Sequence, residues 1–170
     1  SPANAITPGA WQHIAGVFNG STIKLYIDGV LVGTTNTPGY SLSASSEAVH
    51  IGNSGYGEQF NGSIDEVRIW NSILSVDDIL RRKNCELQGN EAGLYAYYKF
   101  NQGVPSGANT TVTSLTNSSV IAGLNGTLTN MALTGATSNW LAGSAVATGS
   151  TIPTAPSASA QSFCIGYTVA

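Results

Sequence analysis

Apolar and polar positions alternate through the first third of the chain with the two-residue period of half-buried strands. Trp11-Gln-His-Ile-Ala-Gly-Val-Phe18 reads as a strand, with Trp11 and Phe18 as packing residues. Asn19-Gly20-Ser21 follows as a hairpin turn. Thr22 to Asp28 alternates cleanly: Ile23, Leu25 and Ile27 point one way, Lys24, Tyr26 and Asp28 the other. Asp28-Gly29 is a two-residue hairpin signal, and Val30-Leu31-Val32 returns as a third antiparallel strand. Thr34 to Ser46, with Pro38-Gly39 and a Ser-rich run, reads as a loop, and Val49 to Gly52 as a short strand. A Gly-punctuated loop from Asn53 to Gln59 then leads to a strand over Gly62 to Trp70. Asp65, Val67 and Ile69 share one face of that strand; Ile64, Glu66, Arg68 and Trp70 share the other.

One helix is expected. Ser75 is a candidate N-cap with Asp78 three residues on, Leu74 and Ile79 occupy staple positions, and Arg81, Arg82 and Lys83 suit the helix C-terminus. The basic triplet is read as a helix terminus rather than an anion site. Gly93 to Phe100 predicts another strand, with Leu94, Ala96 and Tyr98 opposite Tyr95, Tyr97 and Lys99. Val112 to Leu115 and Gly126 to Leu133 read as weaker strands. Thr151 to Ser157 has the composition of a linker, and Phe163, Ile165 and Tyr167 alternate like the first strand of something further.

Composition adds an environment to this pattern. Only 9% of the 170 residues are charged, against about 25% in ordinary domains. Polarity comes instead from 20 Ser, 17 Thr and 14 Asn beside 20 Gly, residue types that favour turns and strands over helix interiors. The formal net charge of −3 offers no attraction to nucleic acid or anionic lipid. No run of 18 apolar residues suggests membrane insertion. From Phe100 to Ala170 there is no Asp, Glu, Lys, Arg or His, so side-chain acid–base chemistry belongs to the first part of the chain. Ser1-Pro2-Ala3-Asn4 has no signal-peptide character and opens abruptly, as a piece of a longer protein would. Cys85 and Cys164 lack metal-ligand spacing. A single bridge, two unrelated thiols and partners elsewhere all remain open.

Three segments together resemble the laminin-G-like, concanavalin A-like jelly-roll family of bacterial surface proteins: Trp11 to Phe18, Ile23-Lys-Leu-Tyr-Ile-Asp-Gly29, and Asn61-Gly-Ser-Ile-Asp-Glu-Val-Arg-Ile-Trp-Asn-Ser-Ile-Leu-Ser75. The resemblance spans about residues 8 to 83 and implies an all-β antiparallel jelly roll or β-sandwich with one short capped helix. It matches the later half of such a domain, so the expected division is a C-terminal part of a laminin-G-like jelly roll over 1–90. A charge-free β-rich extension packing on it is expected over 91–150, and a linker with the first strand of an immunoglobulin-like module over 151–170. Gly93 to Gly103 resembles the first strand of such a domain, and Gly126-Thr-Leu and Ala132 to Trp140 look like companions that follow this module in large secreted proteins of gliding Bacteroidetes. An extracellular location, on a bacterial cell surface or secreted, is what the resemblance implies.

For chemistry, jelly-roll glucanases need two carboxylates on one site. Here the close pair, Asp65-Glu66, points to opposite faces, and His13 and His50 have no nucleophile in a recognisable setting, so no enzyme is expected. Relatives of this fold hold calcium at a sandwich rim through carboxylates, Asn side chains and carbonyls; Asn53, Glu58 and Asp65 are the corresponding oxygen donors, with Glu58 the one acid in its loop. A glycan or surface polymer would use exposed tyrosines beside amide groups, and Tyr40, Tyr56, Asn53 and Gln59 carry that chemistry. The Asn-x-Ser/Thr triplets at Asn19, Asn61, Asn109, Asn117 and Asn125 are read as turn chemistry. Three roles follow: a carbohydrate- or surface-binding module of a cell-surface adhesin, a structural spacer in a stalk, and a secreted cargo held by outer-membrane export machinery or by other modules of the same chain.

Overall fold

A computed structural model describes residues 5–42, 45–135, 138–143 and 145–149. The predicted linker and strand of 151–170 lie outside these residues. Strands β1 (Ile14–Phe18), β2 (Thr22–Ile27) and β3 (Val30–Asn36) form an antiparallel meander in the order β1-β2-β3. Asn19 shapes the first turn: its Oδ1 accepts the Ser21 and Thr22 amides at 3.1 and 2.8 Å. In the second turn Asp28 and Gly29 both have positive φ, 51° and 84°, the geometry of a two-residue hairpin whose twist matches its strands. The positive φ favours glycine at position 29, and a Cβ there would lie 2.2 Å from Cδ2 of Leu80, whose side chain would have to turn aside.

Strand β4 (Val67–Trp70) pairs with β5 (Leu94–Tyr98), and β6 (Ser114–Leu115) with β7 (Gly126–Thr127), all antiparallel. Helix α1 (Val76–Arg82) is capped by Ser75, whose Oγ accepts the Asp78 amide at 3.1 Å. Asp78 answers by accepting the Ser75 hydroxyl and both Arg81 and Arg82, so the predicted N-cap forms, with the Asp78 carboxylate turned to the Ser75 hydroxyl and not to the Ser75 backbone amide that a capping box uses. These bonds hold the Asp78 carboxyl well below the usual carboxylate range, the Ser75 hydroxyl contributing most.

The two faces of β4 divide as the alternation predicts. Val67 and Ile69 pack with Ala96, Tyr98, Leu115 and Trp140, while Trp70 packs with Leu87, Leu94 and Tyr97. Residues after Phe100 complete the first cluster, with Val112, Leu124, Leu128 and Met131 around it. They also cover the outer edge of β5: the Ser118 amide donates to the Tyr97 carbonyl at 2.7 Å, and Asn117 Oδ1 accepts the Tyr97 amide at 2.9 Å.

Several expectations are corrected. Trp11 precedes β1 and is 46% exposed, so it is not core. Val49 to Gly52 is not a strand, β4 starts only at Val67, and β6 and β7 have two residues each. Tyr26, expected on the polar face of β2, is buried together with Ile27. A register shift between Leu25 and Tyr26 breaks the alternation there, and Ile73 to Val76 line a small cleft with Tyr26 and Lys24 on that face. Tyr97 is fully buried on the supposed outer face of β5, because residues 82–91 fold over it.

Candidate functional site

The Asn53–Gln59 loop is a closed miniature hairpin. The Phe60 amide donates to Gly52 O and the Ser54 amide to Glu58 O, both at 3.0 Å, and Asn53 bridges Gln59. Gly52, Gly55 and Gly57 all have positive φ, which only glycine adopts without strain. Asn53 Oδ1 accepts the Gly55 amide at 2.6 Å, Ser54 Oγ accepts the Tyr56 amide at 3.1 Å, and the Ser54 hydroxyl donates to the Glu58 carboxylate. That last bond holds the Glu58 carboxyl below its ordinary range. The backbone is thus fixed from within, while the Tyr56 side chain at its tip stands 93% exposed.

Tyr40 stands on a second ordered turn. Thr37-Pro38-Gly39-Tyr40 closes with the Tyr40 amide donating to Thr37 O at 3.2 Å, and Gly39 has φ 79°, as a turn with Pro second and Gly third requires. Tyr40 is 71% exposed. Both predicted aromatic residues are therefore presented to solvent by rigid turns. Of their polar companions, Gln59 is exposed and Asn53 is engaged within its own hairpin.

The proposed calcium donors are already employed. Glu58 takes the Ser54 hydroxyl, and Asp65 Oδ2 accepts the Ala145 amide at 2.9 Å. Among the described residues no group of three or more His, Cys, Asp or Glu side chains is placed to hold a metal ion. A calcium ion at Asn53, Glu58 and Asp65 would share these carboxylates with the Ser54 hydroxyl and the Ala145 amide.

Glu66, next to Asp65, carries a different load. It lies at φ 56° and accepts both Arg68 and the Tyr97 hydroxyl at 2.5 Å. Arg68 reaches on to the Arg82 carbonyl at 2.6 Å and to the Cys85 carbonyl, joining β4 to the end of α1, and it stacks over the Tyr97 ring. Burial raises the Glu66 carboxyl above its usual range against the pull of Tyr97 and Arg68. Burial, aided by Glu66, likewise raises the Tyr97 phenol. The alternation placed Glu66 and Arg68 on one face; their partnership with Tyr97 was not read from the sequence, because it depends on a long-range strand pairing.

A feature the sequence did not reveal is a cleft of about 790 Å³ between β1 and β4. Ile14, Phe18, Val67, Ile69, Asn84 and Val146 are among the residues that line it. His13 also lines it, and its Nδ1 is buried without a hydrogen-bond partner among the described residues. Burial pushes the His13 imidazole down to about 4, helped by the nearby Arg68 and Lys83 and opposed by Asp28. Cys85 is fully buried and disulfide-bonded, its partner lying outside the described residues, which removes the reading of two unrelated thiols.

Residues 1–80 match the laminin-G model described as the concanavalin A-like lectin/glucanases superfamily. No curated protein matches the chain. A 2.1 Å crystal structure of an S-layer domain-containing protein from Clostridium thermocellum is similar at 31% identity over 46% of this chain, with a TM-score of 0.35. The chain spans 41% of that solved chain. The family match supports a laminin-G-like module over residues 1–80, and the antiparallel sheets with one short helix are those of a concanavalin A-like all-β fold.

Proposed function

We propose that this chain is a non-catalytic extracellular module that binds a carbohydrate or surface polymer of similar chemistry through its loop rim, as part of a bacterial cell-surface adhesin. The observation that carries this reading is Tyr56, 93% exposed at the tip of a hairpin whose backbone is held by its own hydrogen bonds. A rigid, exposed aromatic face loses little freedom on stacking against a sugar ring, and Tyr40 and Gln59 supply a second platform and an amide. The matching family is named for lectins and glucanases, and the lectin-like half of that description suits this chain better. Glu66 is committed to Arg68 and Tyr97 and Asp65 to Ala145, leaving no evident acid–base pair for glycoside cleavage.

A spacer role is the second reading, and one observation favours it. Asn53 Oδ1 and the Glu58 carboxylate, which would bond sugar hydroxyls, are spent inside the hairpin. Binding of the chain to a panel of soluble and insoluble polysaccharides, with Tyr56→Ala and Tyr40→Ala beside it, separates the two. The binding reading expects saturable retention that falls about tenfold in Tyr56→Ala, the size of one aromatic stacking contact. The spacer reading expects no retention at all.

A further inference from the structure

The tetrapeptide Phe-Asn-Gly-Ser occurs twice in the chain, at 18–21 and at 60–63. The same four residues meet two different environments, so the fold decides what each asparagine can do. Asn19 is bound into the turn between β1 and β2. Its Oδ1 accepts the Ser21 and Thr22 amides at 3.1 and 2.8 Å and their hydroxyls at 3.2 and 3.0 Å. Its own amide donates to the Thr22 carbonyl at 3.2 Å, and Gly20 sits in the same turn at φ 91°.

Asn61 makes none of these bonds. It follows the bond that closes the 52–60 hairpin, from the Phe60 amide to the Gly52 carbonyl, and lies in a stretch without helix or strand that runs to the start of β4. Asn61, Gly62 and Ser63 are all exposed. Among the described residues neither the Asn61 side chain nor the Gly62 amide has a hydrogen-bond partner. The third Asn-Gly pair of the sequence is held like the first: Asn125 Oδ1 accepts the Asn117 amide at 2.9 Å, and Gly126 belongs to β7. Glycine after asparagine has a chemical consequence, because no side chain screens its amide nitrogen. That nitrogen attacks the asparagine side-chain carbonyl when the side chain swings back over it. Each hydrogen bond that pins the side chain opposes the rotation.

We propose that Asn61 is a self-modification site at which the chain deamidates, while the identical segment at Asn19 is protected by its turn. The Gly62 nitrogen bonds to Asn61 Cγ and the bond from Cγ to Nδ2 breaks. Nδ2 leaves as ammonia, carrying the proton that the Gly62 nitrogen gives up. The five-membered succinimide takes up one water, which opens it at either carbonyl to aspartate or isoaspartate. No oxidant or reductant takes part. Both products put a new carboxylate at the foot of the hairpin that presents Tyr56, and isoaspartate lengthens the main chain there by one methylene.

The test incubates the folded 170-residue chain in mildly alkaline buffer and follows it by tryptic peptide mapping. Cleavage after Lys24, Arg68 and Lys99 puts Asn19, Asn61 and Asn125 in three separate peptides, 1–24, 25–68 and 100–170. Peptide 25–68 should gain about 1 Da at least about tenfold faster than the other two, the scale of one or two hydrogen bonds. Isoaspartate should appear at position 61. Asn61→Gln, whose longer side chain would have to close a six-membered ring, should remove the gain from 25–68. In concentrated urea Asn19 and Asn61, freed from the fold, should react at the same rate. Equal rates in the folded chain overturn the proposal, as does a gain in 25–68 that survives Asn61→Gln. A difference that persists unchanged in urea also overturns it, since the fold would not be its cause.

Discussion

The β1–β3 meander and the β4–β5 ribbon are made of similar strand sequences, yet they are buried very differently. In the meander Ile14, Ile23, Val30 and Leu31 are between 47% and 65% exposed, and only the Tyr26–Ile27 end of β2 is well covered among its large side chains. In the ribbon Leu94, Ala96, Tyr97 and Tyr98 are all buried. The difference lies in what each sheet has to pack against. Residues after Phe100 supply the ribbon with Leu115 and Trp140 on one side, and Leu87 covers the other. The meander has α1 at one corner and a cleft along β1. The part of that cover that follows Phe100 contains no charged residue, and it is held by amide side chains acting as backbone surrogates. Asn109, 2% exposed, accepts the Val104 amide at 2.6 Å and donates to the Val104 carbonyl at 2.9 Å. Asn117 serves Tyr97 and Ser119 in the same way.

The contrast is broken most severely by removing the ribbon's second strand. A chain ending at residue 90 loses β5 and everything that packs on it, and circular dichroism should show no cooperative melt at low concentration. Matched tryptophan substitutions come next. Trp140→Ala should cost about 3–5 kcal/mol in denaturant unfolding, as a buried aromatic does, whereas Trp11→Ala, at the cleft rim, should cost under about 1 kcal/mol. Equal costs would abolish the distinction between the two regions. Asn109→Ala should cost about 1–3 kcal/mol, since it strands the Val104 amide, while the Val104 carbonyl keeps the Gly107 amide at 3.0 Å.

Acid sharpens the comparison from the meander side. The folded His13 titrates near 4, below the 6.5 of the unfolded chain. The unfolded state therefore takes up the proton first, and stability falls as pH drops from about 6.5 toward 4, by up to about 3 kcal/mol. Glu66, raised by burial, acts in the opposite sense at the acid end. The measurement is therefore the difference between the parent and His13→Gln across that window: the variant's stability should change less. The smallest effect is local, with Ser75→Ala costing about 1 kcal/mol through loss of the N-cap.

What could be read from the sequence was what neighbours in the chain decide. Asn19 and Asp28-Gly29 make their turns with side chains and φ values of their own, and Ser75 caps α1 through the Asp78 amide within four residues. The faces of β4 followed from period two. Burial of Tyr97 and Asn109 did not, because residues 82–91 and Ser138 cover them from a distance. Trp11 was misplaced for the converse reason: its side chain suits a core, and no partner among the described residues closes over it. At the candidate site, the turn glycines and tyrosines of 37–40 and 52–60 were legible, since exposed loop tips need only local geometry. The occupation of Asp65 by Ala145, eighty positions away, was not.

The most direct test of the functional account is a binding titration of the chain and Tyr56→Ala against the same polysaccharide, with Trp11→Ala as an aromatic control away from the hairpin. Saturable binding by the chain and by Trp11→Ala, weakened about tenfold in Tyr56→Ala, is the result the account requires. Binding that Tyr56→Ala leaves unchanged, or no binding to any polysaccharide tested, contradicts it.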